Sequence, residues 1–257
     1  MINKLKDEVN FIRQNIFSYY RKIKLKKETK PSLVEHFKIF FFHKHVWYGN
    51  SYGGFYIIPN LLNSKSILYS IGIGKDISFD LKCIKNHNLS IFAFDPTPKS
   101  IDFIKEQNVP KNFIFHDFGL TSKPSGIERF YMPENPKAVS GSLINHTETN
   151  SNNYIDVKML IFDDLVKLNN HTHIDVLKMD IEGAEYEVLD SILHSTVTID
   201  QILVEFHDRL FDLNKYKSKE IVLKMISKGY EVYGVSKSYE EISFIHQRAI
   251  EKLQGNI

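Results

Sequence analysis

The stretch SILYSIGIGKDISFDLKCI, residues 66–84, decides the fold class. A short apolar run leads directly into Gly72 and Gly74, and a helix-like segment follows. Glycines at such a point let the backbone turn sharply and let a ligand approach closely. Taken alone, the segment fits a tight turn between a strand and a helix equally well. The missing third glycine of a dinucleotide fingerprint argues mildly against a pyrophosphate site.

An acidic residue follows the next apolar run, about 20 residues downstream, the usual spacing in nucleoside-binding sheets. That run, LSIFAFD (89–95), ends in Asp95 before a proline. A carboxylate there can accept hydrogen bonds from both ribose hydroxyls, although an Asp-Pro turn is an alternative. A third run, NFIFHD (112–117), places Asp117 to accept from an adenine amino group and Phe118 to cover the ring, unless the two form a simple strand-end turn. The glycines and Asp95 together favour a nucleoside cofactor.

Helix-length segments separate five short apolar runs, of which the last two are IDVLKMD (174–180) and QILVEFH (201–207). Strands that are apolar throughout and alternate with helices predict a parallel sheet covered on both faces. Two final runs, YEVYGVS (230–236) and EISFIHQ (241–247), predict an antiparallel hairpin at the sheet edge. The sequence therefore predicts a doubly wound, mostly parallel, seven-stranded Rossmann-like α/β sheet with a C-terminal hairpin, the architecture of class I methyltransferases.

The composition excludes several classes of protein. With 257 residues, 42% hydrophobic and 13% aromatic, the chain is not of the disordered type. No apolar run approaches the ~20 residues of a bilayer span, and no signal-peptide pattern is present. The single cysteine, Cys83, predicts a reducing, cytoplasmic location and a buried helical position for this residue.

The net charge of +2 conceals an asymmetry. Residues 1–30 carry nine Lys/Arg and three Asp/Glu, so the remainder carries −4. A solvated, charged helix face is the simplest interpretation of this basic arm. Contact with nucleic acid, an anionic membrane surface or an anionic substrate is the alternative.

The segment DVLKMDIEGAE, residues 175–185, is the most specific in the chain. A buried strand would deliver Asp180 and Glu182 to the carboxyl edge of the sheet, where α/β proteins bind ligands. Glu182 and Glu185 also suit a helix start, whose dipole favours acids. Helix capping does not easily explain Asp180, so we predict a functional role for it.

Two residues at the end of the following run face the same way. Glu205 and His207 are two apart and share one face of a strand. With Asp180 they are predicted to converge, either as a general base with orienting acids or as an oxygen-rich site for a divalent metal. In the first case we expect His207 to be the base. A His that is merely hydrogen-bonded at a strand end is the alternative.

The chain resembles the FkbM-type S-adenosylmethionine methyltransferases. The segments that carry the resemblance are DVLKMDIEGAEYEVL (175–189), VEFHD (204–208), YSIGIGKDISFD (69–80), FAFDPTPKSI (92–101) and YGNSYGGFYIIP (48–59). The resemblance extends from Trp47 to Arg248. It implies S-adenosylmethionine as cofactor and O-methylation of a sugar hydroxyl, with a carbohydrate or glycoconjugate acceptor. Some related sugar methyltransferases use a divalent metal, Mg²⁺ or Mn²⁺.

The pattern along the chain predicts two parts, an N-terminal helical and aromatic extension, residues 1–62, and a cofactor-binding domain, residues 63–257. The commonest methyltransferase pattern has an acid where this chain has Ser70, so Asp76 or a backbone carbonyl would receive the methionine ammonium. The expected cofactor-binding residues are Ser70, Gly72, Gly74, Asp76, Asp95, Asp117 and Phe118. The polar segment of residues 137–153 would form part of an acceptor pocket or a surface insertion.

Three other functions are compatible with parts of the pattern. A nicotinamide-dinucleotide oxidoreductase is disfavoured by the short glycine pattern and the closing hairpin. A non-catalytic cofactor-binding module is disfavoured by the intact cluster of Asp180, Glu205 and His207. Nucleic-acid methylation would suit the basic arm, but the Asn/Asp-Pro-Pro-aromatic run of amino-directed enzymes is absent from the sequence.

Overall fold

The computed structural model of the chain describes residues 31–133, 141–144, 149–211 and 217–255. The strands are β1 (Val46–Tyr48), β2 (Phe55–Ile57), β3 (Ile67–Ile71), β4 (Ser90–Phe94), β5 (Phe113–His116), β6 (Gly119–Leu120), β7 (Gly126–Pro133), β8 (Thr149–Leu160), β9 (His173–Met179), β10 (Thr198–Glu205), β11 (Tyr230–Val235) and β12 (Glu241–His246). The α-helices are α1 (Ser78–His87), α2 (Pro98–Glu106), α3 (Phe162–Leu168), α4 (Glu185–Ile192), α5 (Ser218–Ser227) and α6 (Gln247–Leu253). Short 3-10 helices cover Pro31–Leu33, Glu35–Phe37, Pro59–Leu61 and Asp208–Leu210.

Seven strands form the central sheet in the order β11-β12-β10-β9-β3-β4-β5. The five strands from β10 to β5 pair in parallel, and β12 pairs antiparallel with both β10 and β11. Helices connect the parallel strands, which are apolar because both of their faces are covered. Side chains of α3, α4 and α5 pack on one face, and those of α1 and α6 pack on the other. The sheet is therefore doubly wound.

The strand order reverses beside β3, which pairs with β4 on one side and with β9 on the other. After β5 the chain crosses back to β9, so the connections on the two sides of β3 run in opposite directions. A crevice opens at the carboxyl ends of the strands at such a reversal, and open α/β sheets bind their ligands there. The ends of β3, β4 and β9 are thus the place to look for a site.

An insertion between β5 and β9 forms a separate three-stranded sheet in the order β6-β8-β7. Its longest pairing is the antiparallel ladder of β7 and β8. Part of the polar segment of residues 137–153, which belongs to this insertion, lies outside the described residues.

The aromatic segment before residue 62 packs against the central sheet. Phe55, Ile57 and Ile58 are fully buried in the same cluster as side chains of β3 and α1. The predicted helix in residues 1–30 lies outside the described residues. The division of the chain at residue 62 stays a prediction, because residues on both sides of it contribute to one core.

Cys83 is buried in α1, as expected. Within the described part of the chain, every helix is too short or too polar to cross a membrane.

Candidate active site

A cavity of about 800 Å³, counting the part open to solvent, lies at the reversal of strand order. Its walls come from the ends of β3, β4 and β9, from the turn between β1 and β2, and from the inserted sheet. Among the described residues, four acids line it: Asp76, Asp95, Asp180 and Glu182.

The glycine loop after β3 forms the floor of the cavity. Gly72 and Gly74 have φ angles of +75° and +53°, in the left-handed region that favours glycine. A Cβ on Gly72 would lie 1.7 Å from the carbonyl oxygen of Asp180. Residue 72 must therefore be glycine for the glycine loop and the end of β9 to approach each other this closely.

Asp95 lies directly beneath the glycine loop and organises it. Its Oδ2 accepts hydrogen bonds from the backbone N–H groups of Ile73 and Gly74, at 3.1 and 2.9 Å. Its Oδ1 accepts from the N–H and the hydroxyl of Thr97, at 2.9 and 2.6 Å. A carboxylate offers about four acceptor positions. A ribose contact, as predicted from the sequence, would therefore require one of these four bonds to be exchanged.

Removal of the Asp95 carboxylate should loosen the whole loop. We expect Asp95→Ala to lower the free energy of unfolding by about 1–3 kcal/mol, because buried donors lose their acceptor, and to weaken S-adenosylmethionine binding as well. Chemical denaturation and calorimetry measure the two effects. Asp102→Ala is the control, since this carboxylate is exposed on α2. Unchanged cofactor affinity in Asp95→Ala would place the cofactor site elsewhere.

Asp76 occupies the position expected for a cofactor residue. It lines the cavity and accepts hydrogen bonds from Asn50 Nδ2 at 2.6 Å and from the Ser78 backbone N–H at 2.8 Å. Asn50 lies in the turn between β1 and β2, so this bond ties that turn to the glycine loop. Ser70, by contrast, is fully buried and does not line the cavity. The predicted contact from Ser70 to the cofactor is therefore not supported, because the side chain points into the core.

The contacts predicted from the end of β5 also need correction. Phe118 is buried in the core, with its ring centroid 5.7 Å from that of Phe94. Asp117 is exposed, and neither residue lines the cavity. Gly119 and Leu120, the next two residues, line it instead. The chain turns into β6 here, so the cavity wall begins after the aromatic residue.

The three predicted catalytic side chains do converge. His207 Nε2 lies 3.6 Å from Asp180 Oδ1 and 3.8 Å from Glu205 Oε1. It lies closer still, at 3.2 Å, to Oε2 of Glu182. His207 lies two residues beyond the end of β10, and Asp180 directly follows the last residue of β9, so the parallel pairing of these strands brings the two together.

The strongest partner of His207 was not predicted. Glu185 Oε1 lies 2.6 Å from His207 Nδ1, and both side chains are almost completely buried. The same carboxylate accepts hydrogen bonds from the backbone N–H groups of Ile181 and Gly183. Glu185 therefore fixes both the imidazole and the loop that carries Asp180 and Glu182. The sequence signal, an acid in the first turn of a helix, indicated only a favourable dipole interaction.

The electrostatics of the cluster assign different roles from those expected. Burial alone lowers the pKa of His207, but the carboxylates of Glu185 and Glu182 together raise it well above its usual value. These carboxylates therefore favour the protonated form of His207. Burial, followed by the nearby charge of Glu205, raises the pKa of Asp180 well above its usual value. A carboxylate of raised pKa is a better base than an ordinary one.

Exposure to the cavity also favours Asp180 over His207 as the base. The side chains of Asp180 and Glu182 are 28% and 18% exposed and line the cavity. His207 is 1% exposed and lies behind them, outside the lining. A general base must come within hydrogen-bond reach of its proton, directly or through one water. The structure thus places Asp180, and not His207, on the surface of the cavity, and the role of His207 as the base stays a prediction.

The same cluster has the donors of a divalent metal site. One ligand atom from each of Asp180, Glu205 and His207 lies within 4.8 Å of the others. Glu185 behind Nδ1 is the kind of partner that often orients a metal-binding His. Two carboxylates and one imidazole are donors that divalent metal ions use in proteins. A metal on Nε2 would replace the proton that His207 carries.

A second group of this kind lies at the opposite edge of the sheet, formed by His173, Asp175 and Asp200. Asp200 already pairs with Lys252 Nζ at 2.7 Å, and Asp175 accepts from the backbone N–H of Ile67 at 2.7 Å. Asp200 thus ties β10 to α6, and Asp175 ties β9 to β3, which accounts for the group structurally.

The insertion reaches the active site through Ser142. This buried side chain donates a 2.6 Å hydrogen bond to the backbone carbonyl of Glu182. Glu182 has a φ of +51°, a conformation that costs a non-glycine residue about 1–3 kcal/mol. Gly141 and Leu143, on either side of Ser142, line the cavity. The insertion thus supports a strained acidic residue and forms one wall of the site.

A seven-stranded, doubly wound sheet with one reversed strand and a glycine-loop cavity defines the α/β fold of class I methyltransferases. The family model of the FkbM methyltransferase domain matches residues 30–232 of the sequence, and the chain belongs to this family. The resemblance noted from the sequence is thereby confirmed. An oxidoreductase is not favoured by this assignment.

Two curated relatives are named as methyltransferases. The hexuronic acid methyltransferase AglP of Haloferax volcanii is 28% identical over 127 residues, which cover 49% of this chain and 50% of the relative. The probable methyltransferase-like protein 24 of Homo sapiens is 24% identical over 156 residues, covering 60% and 36%. The chain thus spans half or less of the length of these relatives.

Two solved structures are similar at low identity. The fibrillarin pre-rRNA processing protein of Methanococcus jannaschii has a TM-score of 0.40 at 10% identity, covering 74% of this chain and 70% of that one. Human N-acetylserotonin methyltransferase in complex with SAM has a TM-score of 0.34 at 12% identity, covering 70% and 47%. Both scores are low, so the fold assignment depends on the strand order of the chain itself.

Proposed function

We propose that the protein transfers the methyl group of S-adenosylmethionine to a hydroxyl oxygen of a sugar. The observation that carries this proposal is the position of Asp180. Its carboxylate has a raised pKa and lines a cavity whose floor is a glycine loop. The site thus combines a proton acceptor with a nucleoside-type pocket. Acceptor-dependent formation of S-adenosylhomocysteine tests the proposal.

The chemistry of the cavity suits this cofactor. The adenosine portion would lie along the ends of β4 and β6, against Pro96, Thr97 and Gly119. The methionyl portion would then extend over the glycine loop toward the end of β9. S-adenosylmethionine carries a sulfonium and an ammonium, and the acids around the cavity complement both charges. Asp76 is our candidate for the ammonium.

The protein has two tasks in such a reaction. The sulfonium is already an activated leaving group, so the acceptor oxygen must be aligned with the methyl carbon and the hydroxyl deprotonated. Asp180 takes the hydroxyl proton as the oxygen attacks, and S-adenosylhomocysteine leaves. The protonated His207, held by Glu185, keeps the carboxylates of Asp180 and Glu182 in place. His207 is a positioning residue in this scheme.

A divalent cation is the alternative partner for these carboxylates. When bound, it would be held by Asp180, Glu205 and His207 and would lower the pKa of an acceptor hydroxyl. If the protonated imidazole of His207 takes the place of a metal ion beside these carboxylates, turnover should survive treatment with a chelator. Loss of turnover that Mg²⁺ or Mn²⁺ restores would assign the cluster to a metal.

A carbohydrate acceptor is supported by two features. The inserted sheet and the described part of its polar loop provide Phe130, Gly141 and Leu143 as one wall of the cavity. An aromatic surface beside acidic groups suits a sugar ring, with apolar contact to its face and hydrogen bonds to its hydroxyls. The relative AglP is named as acting on a hexuronic acid.

The pH dependence of turnover tests the division of roles. Asp180 must be ionised to act as a base, so kcat should rise with pH through its raised pKa. On the alkaline side, loss of the proton from His207 removes the cation between the carboxylates, and kcat should fall. The expected profile is a bell. In His207→Gln we expect turnover lower by about tenfold, an effect of ~1.4 kcal/mol, and no alkaline limb.

A different pH profile would support His207 as the base. If the rate falls as pH drops through about 6.5, the usual pKa of His, and His207→Gln abolishes that acid limb, then His207 is the base. Steady-state kinetics on both proteins over the same pH range distinguish the two outcomes.

A further inference from the structure

Lys178 is a buried lysine that faces the cofactor cavity. It lies on β9, two residues before Asp180, and is 3% exposed. Fully buried lysines are rare in proteins unless they have a specific partner. Its Nζ donates a 2.8 Å hydrogen bond to the carbonyl oxygen of Gly72, and its side chain lines the cavity. The ammonium therefore lies at the junction of the glycine loop and the end of β9.

Within the described residues, the ammonium of Lys178 does not form an ion pair. No carboxylate in the described ranges lies within 4.0 Å of its Nζ. Two carboxyl groups interact with it electrostatically, those of Asp80 on α1 and Asp180. Asp80 is fully buried, and burial raises its pKa. An ammonium has three N–H donors. The bond to Gly72 occupies one, which leaves donors for a ligand.

Lys178 is also distinctive among the cavity residues. In the described part of the chain it is the sole Lys or Arg of the lining, which otherwise carries four acids. S-adenosylmethionine has two positive groups and one negative group, its α-carboxylate. The acids complement the sulfonium and the ammonium, whereas the carboxylate needs a cation. With adenosine along the ends of β4 and β6, as proposed above, the methionyl end of the cofactor would extend toward Lys178.

We propose that the ammonium of Lys178 binds the α-carboxylate of S-adenosylmethionine while it holds the carbonyl of Gly72. This inference rests on the proposed function and adds the group that recognises the amino-acid end of the cofactor. A charge-assisted hydrogen bond in a buried site is stronger than a neutral one. Lys178 thus selects ligands that carry a carboxylate at this position.

The test compares two ligands that differ only in that group, S-adenosylmethionine and its decarboxylated form. Calorimetry gives the Kd of each for the wild-type protein and for Lys178→Met. We expect Lys178→Met to weaken S-adenosylmethionine binding by about 10–100-fold, the usual range for a hydrogen bond to a charged group. Affinity for the decarboxylated form should change by less than about threefold. Lys158→Met is the control, because Lys158 is an exposed cation beside Phe118 that does not line the cavity.

The outcomes that would overturn the role of Lys178 differ from those that would refute the proposed function. An equal loss of affinity for both ligands would show that Lys178 only shapes the glycine loop and would overturn the proposal. If Lys178→Met does not fold, the wild-type protein still decides the question. A preference of about 10–100-fold for the carboxylated ligand supports the proposal, and equal affinities overturn it. A wild-type protein that binds neither ligand would refute the proposed function itself.

Discussion

Asp180→Asn is expected to lower kcat by about 10²–10⁴-fold, the usual contribution of a general base. Asparagine has the shape of aspartate but cannot take the acceptor proton. The backbone N–H of Asp180 is bonded to the Ile71 carbonyl at 2.9 Å, so the end of β9 should keep its position. Affinity for S-adenosylmethionine should change little. Steady-state kinetics with calorimetry on the same preparation measure both quantities.

The matched control for this variant is Glu187→Gln. Glu187 is an exposed acid in the first turn of α4, and it does not line the cavity. Its turnover should equal that of the wild-type protein. A kcat for Asp180→Asn within a few-fold of the wild-type value would remove Asp180 from the mechanism.

Gly72→Ala is expected to damage the site most severely. The new Cβ would lie 1.7 Å from the carbonyl oxygen of Asp180, at a φ of +75°. The clashing oxygen belongs to the backbone, and the new Cβ is attached directly to the backbone of the glycine loop. Rotation of a side chain therefore cannot relieve the clash. We expect the free energy of unfolding to fall by more than about 3 kcal/mol, since strain at a positive φ alone costs about 1–3 kcal/mol.

Gly126→Ala is the corresponding control. Gly126 starts β7, and the nearest atom to its added Cβ is 3.9 Å away. Its stability should match that of the wild-type protein in chemical denaturation. If Gly72→Ala proves as stable as Gly126→Ala, the close approach between the glycine loop and β9 is not present in solution.

The elements that position the site were predictable because their signals are local. Apolar runs separated by helix-length segments predicted the parallel strands, and the pairing of β3 with β4 and β9 places Gly72, Asp95 and Asp180 at one edge. Strand ends from different parts of the chain converge in such a sheet whatever the intervening sequence. The convergence of Asp180 with His207 follows from the same rule.

Which side chain reaches the cavity was not predictable from strand spacing. His207 was expected on the working face because it is two residues from Glu205. The strand ends at Glu205, however, and the chain turns there, so the His207 ring faces Glu185 in the next layer. From the sequence, an acid at the start of a helix indicates only a favourable interaction with the helix dipole. Only the tertiary packing of α4 against the end of β10 reveals Glu185 as the partner of the imidazole.

Asp117 and Phe118, predicted on the adenine side, do not line the cavity for a related reason. A residue at the end of a strand lies near the cavity only if the chain continues in the same direction. After β5 the chain enters the inserted sheet instead, and Phe118 packs inward with Phe94. The insertion itself has no periodic signal that would give its orientation. Its contact with Glu182 through Ser142 depends on a single hydrogen bond between distant segments.

The most direct test of the proposed function is a methyl-transfer assay with purified protein. S-adenosylmethionine carrying an isotope-labelled methyl group is incubated with glycans that bear either uronic acids or neutral sugars only. Liquid chromatography and mass spectrometry measure S-adenosylhomocysteine and the site of the label. We predict that S-adenosylhomocysteine forms only with an acceptor and in equal amount to a sugar labelled on oxygen. Label transferred to nitrogen or to nucleic acid, or no transfer by a protein that binds the cofactor, would contradict the proposal.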